Sequence, residues 1–289
     1  MENSYNNLKI AERGARVSII AYITLSLLKL GVGFFAQSKA LLADGINNTT
    51  DIIASVAVLI GLKISRKPAD DDNPYGHLRA ETIASLIASL IMIAVGLDVL
   101  YNAIKSVIFF NPKAPDLISA VVAIFCAAAI YMVYRYNMRI AVKIKSSGLM
   151  AAAKDNLSDA WVSIGTTIGI VASQFGFPWI DPLAAVVVSA LILKTGWDIF
   201  REATHNLSDG FSREKLDGIT KSISQVPGVK QIKNIRARVH GNNILLDLVV
   251  SVSSELSLVE GHSITEKIED KLKEDLDITQ VMVHVEPDK

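Results

Sequence analysis

The sequence predicts an all-α bundle of six transmembrane helices followed by a small cytoplasmic α+β domain of order αββαβ, a ferredoxin-like arrangement. Three observations predict it. The 289 residues are 51% hydrophobic with a mean hydropathy of +0.36, more apolar than soluble domains usually are. The apolar residues gather into runs of roughly the twenty residues needed to cross hydrocarbon. After about residue 200 these runs stop, and Lys, Glu and Asp become frequent. We therefore place a membrane domain at 1–207 and a soluble domain at 208–289.

The six spans fall at 17–35, 40–62, 81–100, 117–134, 149–175 and 182–200. Residues 1–16 are polar and mixed in charge, and no cleavable signal peptide is read there. The first apolar run passes Ala21 and Leu27 to Phe35, long for a signal-peptide core, and is expected to stay as an anchor. Basic residues decide the orientation. Lys9, Arg13, Arg16, Lys63, Arg66, Lys67, Arg79, Arg135, Arg139, Lys143 and Lys145 collect on one side, against Lys39, Lys105 and Lys113 on the other. The richer side is expected to be cytoplasmic, which puts both termini there. Trp179 at an outer turn suits an interfacial anchor. Lys29 lies inside the first span, either as a counter-ion for an acidic site or, the reading we prefer, as a side chain that snorkels or pairs locally. Asp98 is read in the same way. Cys126 sits alone in an apolar run, which excludes an intrachain disulfide or a cysteine-cluster zinc site.

In the tail, 213–226 reads as an amphipathic helix closed by Pro227-Gly228. Residues 232–239 alternate as a strand, and Gly241-Asn242-Asn243 marks a turn. Residues 244–252 form a second strand with Leu246, Leu248, Val250 and Val252 on one face. Residues 258–276 have helical periodicity, and 278–285 a third strand. Helices on one face of such a sheet satisfy this order. A core of about eighty residues is modest and gains from pairing with a copy of itself.

Two polar interruptions carry the chemistry: Asn47-Asn48-Thr49-Thr50-Asp51 in the second span and Asp155-Asn156-Leu157-Ser158-Asp159 in the fifth. Each sets two oxygen-bearing side chains four residues apart, hence on one helix face. Asn and Thr often knit membrane helices together, which suits Asn48, Thr49, Thr50, Asn156 and Ser158. It does not suit three aspartates, because an amide hydrogen bond does not offset a buried charge. Asn47, Asp51, Asp155 and Asp159 are therefore expected to converge on one divalent cation. With no imidazole among them, they suit a hard ion such as manganese better than zinc.

These residues also carry a family resemblance. Ala40-Leu41-Leu42-Ala43-Asp44-Gly45-Ile46-Asn47-Asn48-Thr49-Thr50-Asp51 resembles the second helix of the cation diffusion facilitator family. There a first ligand is followed four residues later by Asp and preceded by three by another. Asn47, Asp51 and Asp44 stand at those places. Ala153-Lys154-Asp155-Asn156-Leu157-Ser158-Asp159 resembles the fifth helix, which supplies the other ligand pair. Pro68-Ala69-Asp70-Asp71-Asp72-Asn73-Pro74-Tyr75-Gly76-His77 resembles the loop between. The resemblance implies a multi-pass homodimer in the plasma (inner) membrane, paired through its C-terminal domain, that exports metal against inward proton movement without a cofactor. The Asn-Asp plus Asp-Asp set resembles the bacterial manganese branch; the alternative is an exporter of the same family for Fe²⁺ or Zn²⁺, or for a broader range that takes in Co²⁺ and Cd²⁺.

The resemblance also points to two lesser sites. Some relatives bind metal in the loop; here Asp70 and His77 remain, and Asn73 stands where a second His is expected. In the tail, Asp247, His262, His284 and Glu286 stand where some relatives build a regulatory site, whereas Lys233 and Val249 occupy two ligand places of the zinc version. Both groups read equally as solvated polar surface.

Other classes fit less well. Zero net charge, with 29 basic and 29 acidic residues, gives no footprint for nucleic acid. Asp51 and Asp159 would suit an intramembrane aspartyl protease dyad, but its Gly-x-Gly-Asp signature is absent. Channel filters are usually rings at a subunit axis, whereas this site is assembled within one chain.

Overall fold

The computed structural model describes residues 2–35, 39–108, 117–175, 180–241 and 243–288. Trp179, Lys113 and Asn242 lie outside them, as do the side chains of Lys39 and Asn47. The chain divides into two compact units, Met1–Ala203 and Thr204–Lys289.

The first unit is built from α1 (Glu2–Phe35), α2 (Lys39–Ser65), α3 (Arg79–Ile108), α4 (Leu117–Ile144) and α5 (Ser147–Gln174), with α6 (Ile180–Leu207) leading out of it. Several helices outrun the apolar runs that predict them. The helix of α1 begins at Glu2 rather than 17 because Leu8, Ala11 and Ala15 on its polar segment are buried against Leu62 and Leu149 of α2 and α5. The end of α4 likewise carries buried Asn137 and Ala141 past residue 134. Hydropathy marks where a helix meets lipid, not where it stops. Among the described residues, three helices are long and apolar enough to cross a membrane: Asn7–Phe35, Arg79–Lys105 and Leu117–Ile144.

Small residues are frequent in the interior of this unit. Ala120, Ala123, Ala127, Ala152 and Ala160 are buried, whereas Ile20, Leu27, Phe34, Ile53 and Ile60 face outward. Close packing of small residues, not burial of large ones, holds helices together where lipid is the solvent. Gly61 is an extreme case. A Cβ there would overlap Ala84 Cβ and sit 2.9 Å from the Ala80 carbonyl oxygen of α3. Gly61→Ala is therefore expected to destabilise the bundle by ~1–3 kcal/mol, read as a lower melting temperature of the detergent-solubilised chain.

The second unit holds α7 (Arg213–Ile223), β1 (Gln231–His240), β2 (Asn243–Val252), α8 (Leu258–Leu276) and β3 (Gln280–Pro287). The sheet order is β1-β2-β3, antiparallel between β1 and β2 and parallel between β2 and β3. Leu246, Leu248, Val250 and Val252 are buried with Ile219, Ile223, Ile268 and Leu272 of the two helices. Alternate residues of β2 thus face the helices, as the pleat requires. Ser257 caps α8 in a reciprocal box with Glu260. At the other end Asp277 takes a left-handed φ of 58°, and Ile278 N–H reaches back 3.1 Å to the Leu272 carbonyl. This helix-ending motif uses Ile278, so β3 begins at Gln280 rather than 278. The first tail helix stops at Ile223 rather than 226, because Val226 turns into the core ahead of Gly228, whose φ is +100°.

Candidate metal centre

Two helices bring the central carboxylates together. One ligand oxygen from each of Asp51 on α2 and Asp155 and Asp159 on α5 lies within 4.8 Å of the others. Asp51 and Asp159 are buried and Asp155 is half-buried. Three carboxylates this close repel one another unless a cation lies among them. Asn47 belongs to the same stretch of α2, but its side chain is outside the described ones.

The two helices present these groups differently. On α2, Asn48 Oδ1, Asp51 Oδ2 and Ser55 Oγ are buried with no hydrogen-bond partner among the described residues. Their spacing of three and four residues puts them on one face. Ser55 and Asp155 also line a cavity of about 10 Å³, roughly the room one water needs. On α5 the carboxylates are held. Tyr22 of α1, fully buried, reaches Asp155 Oδ2 at 3.1 Å and is hydrogen-bonded to Asp159 Oδ2. Behind it, Asn156 Nδ2 donates to the Tyr22 oxygen at 2.9 Å. Asn156 Oδ1 accepts from Ser18 at 3.0 Å and from Asn137 Nδ2 at 3.2 Å, and Asn137 also donates to Ser18 at 2.7 Å.

The start of α5 is fixed from α3. Buried Glu81 accepts hydrogen bonds from the Ser146 hydroxyl and, at 3.0 Å, from Gly148 N–H. A carboxylate on the free N–H groups of a helix start is favoured by the helix dipole.

Sequence reasoning did not pick out Tyr22, Ser18, Asn137 or Glu81. A tyrosine or a serine in a membrane helix is too common to stand out. Asn137, midway between Arg135 and Arg139, reads as part of a basic flank. Asn156 stands out by its place between the two aspartates, but an Asn in a membrane helix reads first as helix knitting.

Lys29 does not snorkel. It is 1% exposed, and its Nζ lies 2.8 Å from Asp44 Oδ2. It also donates to Ser163 Oγ at 3.2 Å, which approaches Asp44 at 3.4 Å. This cluster ties α1, α2 and α5 together. Asp98 is exposed and accepts a 3.1 Å hydrogen bond from Asn102 Nδ2 one turn on, in keeping with a local role. Cys126 is buried beside Tyr22 and Leu25 as packing.

The lesser groups are looser. In the loop, His77 Nε2 lies 3.6 Å from Asp70 Oδ2. Asn73 donates to Asp70 from its backbone at 2.7 Å and from its side chain at 3.1 Å, which holds the Asp70 carboxyl below the usual range. In the tail, Asp247 is exposed on β2 beside Met282 of β3. His284 lies 3.9 Å from Glu286, which pairs with Lys233 at 2.8 Å. His262 faces Glu266 of its own helix at 3.7 Å. Among the described residues, the cluster at Asp51, Asp155 and Asp159 is the group close enough to hold an ion.

Carboxylates gathered inside a bundle of membrane helices define the class, a membrane protein that handles cations. Residues 15–208 match the cation efflux transmembrane domain, and residues 211–288 match the cytoplasmic domain of cation efflux proteins. The chain belongs to the cation efflux family, the cation diffusion facilitators, whose members are transporters and not enzymes. It is 53% identical over 283 residues to the manganese efflux system protein MneS of Bacillus subtilis (strain 168), covering 98% of each chain. It is 32% identical to the manganese efflux system protein MneP of the same organism, covering 96% of this chain and 97% of that one. Among solved structures, MamM-CTD 215-293 is 25% identical over 27% of this chain and all of that one, with a TM-score of 0.26.

Proposed function

We propose that this cation efflux protein exports Mn²⁺ from the cytoplasm in exchange for protons, through Asn47, Asp51, Asp155 and Asp159. The observation that carries the reading is the cluster of three carboxylates within 4.8 Å, with no imidazole in it. Oxygen-only donors suit hard cations, and zinc favours nitrogen and sulfur. The names of two relatives point the same way.

The mechanism follows from charge. Each carboxylate that binds the metal can instead bind a proton, so protons arriving from outside compete for the same oxygens and release the ion. The helix bundle then alternates between inward- and outward-open arrangements. The protein works as a homodimer in the plasma (inner) membrane with both termini cytoplasmic. The Asp70–Asp72 loop concentrates cations at the mouth. Because Asp247, His262, His284 and Glu286 do not close into one group, a regulatory site in the tail draws on a second copy.

The test is uptake of Mn²⁺ and Zn²⁺ into proteoliposomes under an imposed proton gradient, for the wild type and Asn47→His. Strong, gradient-dependent Mn²⁺ flux that shifts toward Zn²⁺ in the variant is expected. Flux that ignores the proton gradient removes the exchange mechanism. Preference of the wild type for Zn²⁺ removes the donor argument.

A further inference from the structure

We propose that Tyr22 sets the metal preference of the centre by fixing the spacing and orientation of the two α5 carboxylates. The inference rests on the proposed role of Asp51, Asp155 and Asp159 as metal ligands, and it adds a residue from a third helix.

The geometry carries it. The phenol oxygen meets the same atom type, Oδ2, on both Asp155 and Asp159. The single hydroxyl proton is shared between these two oxygens, and the bridge sets how both carboxylates are turned. A phenol bridging two side chains one turn apart also fixes the distance between them.

The phenol is itself held. Asn156 donates to it, and Ser18 and Asn137 hold Asn156. Ser18, Tyr22, Asn137 and Asn156 are all fully buried. Burying a polar group without a partner costs roughly 1–3 kcal/mol in proteins. Here α1, α4 and α5 place three such side chains, Ser18, Asn137 and Asn156, behind one hydroxyl. Packing alone would be served as well by phenylalanine, with apolar residues behind it.

The two sides of the centre then have separate tasks. The α2 side presents oxygens on Asn48, Asp51 and Ser55 that have no partner among the described residues. The α5 side is held by Tyr22. Zinc favours four ligands in a tetrahedron, whereas a hard ion such as manganese takes oxygen ligands in an octahedral arrangement. The two geometries ask different angles of the same carboxylates, so an α5 pair fixed by Tyr22 discriminates between them. A pair released from it falls back toward the intrinsic order, in which zinc binds more tightly than manganese.

The experiment is Tyr22→Phe in the full-length chain, purified in detergent, with Mn²⁺ and Zn²⁺ affinities measured by calorimetry and melting followed alongside. The expected result is a change of about tenfold or more in the Mn²⁺:Zn²⁺ affinity ratio, toward zinc. Outer partners of metal ligands commonly change affinity by about 10–100-fold. Equal weakening for both metals would assign Tyr22 to structure only and overturn the proposal, as would an unchanged ratio. If the variant does not fold, Ser18→Ala loosens the same network one step back, and a smaller shift in the same direction is required. A wild type that binds neither metal overturns the ligand assignment itself, a result distinct from any of these.

Discussion

Asp159→Ala is expected to reduce transport to background while the protein still folds. Asp159 is buried, sits within 4.8 Å of the other two carboxylates, and is hydrogen-bonded to Tyr22. Alanine removes a ligand and one of the phenol's two carboxylate partners at once. Losing an outer partner of a metal ligand already costs about 10–100-fold in affinity. Losing the ligand should reach the top of that range, on the order of 100-fold or ~2.8 kcal/mol. Helix formation should survive, since alanine is the best helix former and one of three mutually repelling carboxylates is gone. The measurement is Mn²⁺ flux in proteoliposomes with the melting temperature as control. Full flux in a folded Asp159→Ala protein would sink the assignment of the centre.

The second large effect lies at Lys29, and it concerns stability. Its ammonium is 1% exposed and meets Asp44 at 2.8 Å. Removing one member of a buried ion pair leaves the other charge without a partner, at a cost of ~3–5 kcal/mol. Lys29→Met should therefore lower the melting temperature strongly. Adding Asp44→Asn to the same chain should recover most of the loss, because a buried amide is far cheaper than a buried carboxylate. Thermal unfolding of the single and double variants makes the comparison. A double variant no more stable than Lys29→Met would mean that the lysine stem, not the ion pair, holds these helices.

Much of this protein was legible in one dimension. Apolar runs announced a helical membrane unit, because a bilayer admits helices whose backbone groups are satisfied internally. The alternation Leu246, Leu248, Val250, Val252 announced a strand with one buried face, and those four are buried. Asp51, Asp155 and Asp159 announced themselves because carboxylates are costly inside apolar segments, and they meet in space. The pairing of Asp155 with Asp159 needed only the helical repeat.

Tertiary structure decided what has no period. Tyr22 and Asp159 are 137 residues apart, and Glu81 and Ser146 are 65 apart. No local pattern ties such residues together, since their contact depends on how helices cross and not on spacing within one helix. Lys29 shows the same limit. A lysine in a span can snorkel or pair, and only the position of α2 places Asp44 within 2.8 Å of it. The sequence alone determined which residues are too costly to bury without purpose. The packing of α1 against α2 and α5 determined which partners relieve that cost, because desolvated charges and hydroxyls are satisfied by whatever group lies within hydrogen-bond reach.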